Sequence, residues 1–180
     1  WVRRQEKVGP RIGEELTGAA LRAVLVSLAL ILVYMAWRFK QFLYGIAAVV
    51  ALFHDVLITI GILSLLNVEI TLAVVAGLLA IVGYSLNDTI VVFDRIRENL
   101  LSSRKYGFGE LLNVSINECL SRTVVTSLTT LLAVVVLMTW GGEVIRDFTI
   151  TLIIGILVGT YSSIFIASPT LYYGHLRAEA

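Results

Sequence analysis

The chain has 180 residues, 58% of them hydrophobic and 15% charged, with a net charge of +1 and a mean hydropathy of +0.89. A one-domain chain this apolar has lipid for most of its solvent. A charge so near balance argues against nucleic acid, which needs a concentrated basic face, and the single Cys119 is either a free thiol or pairs with another chain.

The chain opens on Trp1 rather than Met, which predicts a start inside a longer protein. Its first 16 residues are polar, and the apolar run after them is too long for a signal peptide. Five runs are long enough to span a bilayer as helices: 17–37, 42–66, 70–93, 123–142 and 148–174. Helices are forced because lipid leaves free backbone groups unsatisfied. The expected fold is therefore an all-α membrane bundle of five helices, with 1–16 as the end of an extracytoplasmic domain leading into the membrane. Residues 38–41, 67–69 and 143–147 read as tight hairpin turns.

The 94–121 connection is longer and carries Arg95, Arg97, Arg104 and Lys105. Its second half spaces Phe108, Leu112, Ile116 and Leu120 four apart, among Glu110, Asn113, Asn117 and Glu118. That pattern predicts an amphipathic helix lying on the membrane surface. Basic loops place this connection and the C-terminus in the cytoplasm, while Arg3, Arg4, Lys7 and Arg11 then fall outside, as a preceding translocated domain would permit. Trp37, Phe39, Phe42, Tyr44, Trp140, Tyr172 and Tyr173 sit at span ends, as an aromatic belt would. Gly155 and Gly159 form a GxxxG that allows close helix contact, within the chain or against a partner.

Charge inside a bilayer is costly and marks function by default. His54 and Asp55 lie mid-span, Asn87 and Asp88 lie toward the cytoplasmic end of the third span, and Arg122 opens the fourth. Antiparallel helices joined around Lys105 bring Asp88 and Arg122 to similar depth, so an ion pair is expected. A carboxylate beside Arg stays ionised, whereas one desolvated alone takes up a proton. If the contact forms and breaks, Asp88 binds and releases protons. Tyr84, Ser85, Asn87 and Asp88 share about one turn, and Arg122, Thr126 and Thr130 recur every four residues. The hydroxyls either hold a water chain or bond their own backbone. Asp55 falls level with residues near Ile81, one to two turns further out than Asp88. His54 and Asp55 point about 100° apart, and read equally as a structural pair bonding to neighbouring helices or as a relay.

Other chemistry fails. No phosphate-cradling or dinucleotide motif is present, the two histidines do not form H-E-x-x-H, and no further His or Cys stands at metal-ligand spacing. Asp55 and Asp88 lie at different depths, unlike the paired carboxylates of an intramembrane aspartic protease. No catalytic residue, metal or cofactor is expected, protons being the coupling ion.

The run from Gly83 to Asn99, GYSLNDTIVVFDRIREN, resembles the signature of the SecF family. So do VGPRIGEEL from Val8 to Leu16, His54-Asp55-Val56, Ser121-Arg122-Thr123 with Thr126 to Thr130 following, Gly141-Gly142-Glu143, and GTYSSIF from Gly159 to Phe165. The likeness covers nearly the whole chain in order. It implies a bacterial inner-membrane subunit paired with SecD, in an architecture similar to that of the resistance-nodulation-division transporters, each subunit supplying half of a pseudo-symmetric membrane domain. Such a pair works beside the SecYEG channel on an unfolded preprotein, using the proton gradient to promote export. Asp88 falls on the family's proton-pathway aspartate and Arg122 on its partnering arginine. The family's first helix and the extracytoplasmic domain after it are not in this sequence. Two other functions fit a polar bundle: an assembly scaffold of the translocon, or the membrane half of a small-molecule transporter of the related superfamily.

Overall fold

The computed structural model describes residues 10–102 and 107–179. Four helices follow one another: α1 (Pro10–Phe39), α2 (Phe42–Leu65), α3 (Leu72–Ser102) and α4 (Phe108–Trp140). A 3-10 turn (Glu143–Ile145) leads into α5 (Arg146–Ser162), which passes through a π turn (Ser163–Ala167) into α6 (Ser168–Glu179). Five stretches are long and apolar enough to cross a membrane, the last running from Glu143 through α5 and α6 to Arg177. Tight reversals use residues suited to them: Asn67 is left-handed at φ 53° after α2, and Gly142 at φ 80° after α4.

Helices α3 and α5 form the middle of the bundle. α5 packs on α2, α3 and α4, and α1 packs mainly on α2. The apolar windows of α1 and α4 are only 11% and 17% buried, against 44% in α2 and α3, so α1 and α4 are the outer helices. Small residues let the middle pair approach. A Cβ on Gly155 would collide with Ile81, and one on Gly77 would lie 2.9 Å from Thr151. The GxxxG of α5 thus packs inside the chain, against α3.

The expected surface helix over 108–121 is not separate. It is the first part of α4, a helix of 33 residues and about 50 Å, well beyond the ~30 Å of a bilayer core. Nothing between Ser121 and Thr123 breaks the backbone ladder, because neither proline nor glycine intervenes. Most of the apolar stripe covers protein instead of lipid, Leu120 at its end being exposed. Leu111, Leu112 and Cys119 are buried with Phe93, Ile96 and Leu171, and Phe108 and Ile116 pack against them. The polar side of this overhang pairs with the end of α3: Arg95 Nε donates to Glu118 at 2.7 Å, and Asn99 Nδ2 to Glu118 at 2.8 Å and Ser115 at 2.9 Å. Arg104 and Lys105 lie outside the described residues, as do Arg3, Arg4 and Lys7.

The expected aromatic belt divides in two. Trp37, Phe42, Trp140 and Tyr173 are exposed, as a belt requires. Phe39 and Tyr44 are buried and stacked at 4.9 Å, with Phe93 edge-on to both, because the α1–α2 turn folds them onto α3. Tyr172 is half-buried against Phe108.

The last span, expected as one uninterrupted helix, contains the π turn. Pro169 follows two residues after its end. It has no N–H for the Phe165 carbonyl, and its ring crowds that carbonyl in a regular helix. An extra residue in the turn relieves the conflict. Ser168 Oγ donates to the Ser163 carbonyl at 3.3 Å, five residues back.

Candidate functional site

Two buried carboxylates lie in the bundle, on α3 and α2. Asp88 is 3% exposed, on the face of α3 turned to α4. Its hydrogen-bond partner is Ser127 Oγ, which donates to Oδ2 at a long 3.4 Å. Ser127 in turn accepts from Thr160 Oγ1 at 2.7 Å, so the contact reaches α5. Arg122 is exposed on α4 and makes no ion pair with Asp88 among the described residues. The helix register gives the reason. Asn99 meets Ser115 and Asp88 meets Ser127, so the residue level with Asp88 is Ser127. Arg122 lies five residues nearer the connecting loop, about 7.5 Å along the helix.

Asp55 is wholly buried where α2, α3 and α5 meet. Ser85 Oγ and Ser162 Oγ both donate to Oδ2, at 2.5 and 2.8 Å. His54 Nδ1 lies 3.2 Å from Oδ1, with 30% of the imidazole side chain exposed. Adjacent residues about 100° apart on a helix still meet here, because the His54 ring folds back toward the carboxylate. Gly159 makes room, since a Cβ there would lie 3.0 Å from the Ser85 side chain and 3.6 Å from Asp55 Oδ2.

The other expected residues separate. Ser85 bonds Asp55 and not Asp88. Tyr84 is half-buried, with its hydroxyl enclosed and without a hydrogen-bond partner. Asn87 faces outward from the bundle. Thr126 and Thr130 turn onto their own helix, donating to the carbonyls of Arg122 at 2.7 Å and Thr126 at 2.9 Å. Ser127, Thr160 and Ser162 complete the site, although the spacing of charged residues does not single them out. Their signal is the run of small residues around Gly159 and the serine one position from the threonine stripe. No cluster of three or more His, Cys, Asp or Glu able to hold a metal occurs among the described residues.

Residues 2–177 match the family described as "Protein export membrane protein SecD/SecF, C-terminal". The chain belongs to this SecD/SecF family. It is 54% identical over 170 residues to the protein translocase subunit SecF of Koribacter versatilis, a match covering 94% of this chain and 42% of that protein. It is 53% identical over 167 residues to SecF of Vibrio alginolyticus, covering 93% of this chain and 53% of that one. The SecDF translocase subunit of Thermus thermophilus is 54% identical over 175 residues, which cover 97% of this chain and 24% of that protein. A crystal structure of SecDF in a super-membrane-facing form superposes with a TM-score of 0.85 at 51% identity, over 95% of this chain and 23% of that one. The SecD/SecF chain described here is a multi-pass membrane protein that spans about half the length of the SecF relatives it matches.

Proposed function

We propose that this chain is the membrane part of a SecF subunit that works with SecD to drive preprotein export by the proton gradient. Asp88 is the proton carrier and Arg122 its switchable counter-charge. The observation that carries this is the open geometry between them. Asp88 is buried in a helix long and apolar enough to cross a membrane, has one long hydroxyl contact, and faces α4 at Ser127, five residues from the exposed Arg122, without an ion pair between acid and arginine. A buried carboxylate locked for structure alone would be closed by a direct, short ion pair. One left open in reach of a cation can change charge when the two helices shift.

The relatives named SecF and SecDF support the partnership with SecD; the SecYEG channel as neighbour and the bacterial inner membrane as location are what the resemblance to SecF implies. The long overhang of α3 and α4 then lies in the cytoplasm, with Arg95, Arg97 and the C-terminus. On this arrangement SecD supplies the matching half of a pseudo-symmetric membrane domain, and the sparsely covered outer face of α4 turns toward it.

The test is gradient-dependent preprotein translocation into inverted vesicles carrying the complete complex with Asp88→Asn, with complex yield measured alongside. Normal yield with lost gradient stimulation is the expected result. Full stimulation would remove the carrier role and leave the chain as a scaffold of the translocon.

A further inference from the structure

We propose that His54 and Asp55 form a second proton-binding site, separate from Asp88, whose charge is read by the π turn of α5. This rests on the proton-coupled function proposed above.

Asp55 is the more enclosed of the two acids, and no lysine or arginine among the described residues pairs with it. Arg38 is taken by Asp94, and Arg95 by Glu98 and Glu118. Five elements pack on α2: α1, α3, α5, the π turn and α6. Residues 23–37 of α1, 148–162 of α5 and 163–167 of the π turn carry no charged side chain; α3 brings Asp88 one turn from Ser85, and α6, which meets α2 at Leu43, carries His175, Arg177 and Glu179. The hydrogen-bond partners of the carboxylate are two serine hydroxyls and one imidazole, with no cation among them unless the imidazole is protonated. Both serines donate to the same oxygen, Oδ2. An asparagine oxygen would accept both hydroxyls, more weakly than a carboxylate but without the cost of desolvating a charge. An acid at this position gains over the amide only by carrying, and losing, that charge.

His54 supplies the way in. Its ring is partly exposed while Nδ1 faces Oδ1, so a proton can reach it along a seam with the partner half of the membrane domain. A proton arriving at Nε2 forms an Nε2–H bond as the Nδ1–H bond breaks and its proton passes to Oδ1 of Asp55. The imidazole is left neutral in its other tautomer, and the carboxylate becomes a neutral acid. Charge is balanced, and no co-reactant beyond the proton is needed.

The same change is transmitted. Hydrogen bonds to an ionised oxygen are about twice as strong as those to a neutral one. Protonation therefore weakens the hold on Ser85, one turn from Asp88, and on Ser162, the last residue of α5 before the π turn. That turn is where the last span already departs from α-helical register, so it is the place where a loosened anchor lets α6 move.

The experiment uses the complete complex in inverted vesicles and compares Asp55→Asn, His54→Gln and Asp88→Asn for yield and for gradient-stimulated translocation. Asparagine keeps an oxygen for both serines, and its amide can donate to Nδ1 of the other imidazole tautomer. Asp55→Asn is expected to assemble normally and to lose gradient stimulation to the Asp88→Asn level. His54→Gln, which can bond Asp55 but cannot pass a proton, is expected to do the same. Full stimulation in either variant, with Asp88→Asn inactive, overturns the second site and leaves the function of Asp88 standing. Full stimulation in all three overturns both. If Asp55→Asn fails to assemble, the partly exposed His54→Gln decides the matter alone.

Discussion

Asp88 and Ser127 face each other across α3 and α4 at 3.4 Å, where charge alone would place an arginine. Arg122 stands further along α4, exposed and without an ion pair to the acid. Its role then depends on its charge more than on its fork of donors. Arg122→Lys is expected to keep most gradient-stimulated translocation, and Arg122→Gln to fall to the Asp88→Asn level. Lysine would fail at a bidentate site, so equal loss in both variants would show that Arg122 and Asp88 make direct contact during the working cycle. Ser127→Ala removes both the long hydrogen bond to Asp88 and the 2.7 Å bond from Thr160, and is expected to cost about 1–3 kcal/mol in thermal unfolding of the complex.

Much of this site is legible in the sequence, and what is missing has a physical cause. Charged residues in apolar runs announce themselves, so Asp88, Arg122, His54 and Asp55 stand out from the sequence alone. Their partners do not. Ser127 and Ser162 are serines among many in a membrane chain, and only the helix register decides which of them turn inward. A hairpin centred near Lys105 predicts an ion pair between Asp88 and Arg122. The hydrogen bonds across α3 and α4 centre it nearer Gly107, which puts Ser127 opposite the acid. Length and hydropathy suffice to find the five spans. They do not reveal the continuity of α4, because an amphipathic stripe looks the same whether it covers lipid or the end of a neighbouring helix.

That ambiguity can be resolved at Leu112. It is 5% exposed and belongs to the cluster with Phe93 and Ile96. Leu112→Ala is expected to destabilise the bundle by about 2–4 kcal/mol, as deletion of a packed core leucine does. A leucine resting on lipid headgroups would lose far less. Chemical or thermal unfolding in detergent, compared with the exposed Leu101→Ala, measures the difference.

The α3–α5 contact makes a sharper prediction. A methyl group on Gly155 meets Ile81, whereas one on Gly61 meets nothing within 4 Å. Gly155→Ala is expected to cost about 1–3 kcal/mol through overpacking. Gly61→Ala should be neutral or stabilising by up to about 1 kcal/mol, because alanine is the better helix former. Truncating the obstacle with Ile81→Ala in the Gly155→Ala background should cost less than the two single changes added together. Strict additivity would mean that the helices do not approach at this point.

The π turn follows from Pro169, and this too can be measured. Pro169→Ala restores an N–H that can reach the Phe165 carbonyl, removing the reason for the extra residue. If proline alone sets the turn, the segment returns to α-helical bonding, and hydrogen exchange of the amides over 164–168 slows. The bond from Ser162 to Asp55 pulls the other way, since it fixes the end of α5 against α2. The expected outcome is therefore partial: slower exchange in Pro169→Ala, and a further slowing when Ser162→Ala is added and the anchor is gone. No additional effect of Ser162→Ala would separate the turn from the Asp55 cluster. An effect of Ser162→Ala as large as that of Pro169→Ala would make the carboxylate, and with it the charge on α2, an equal determinant of the shape of the last span.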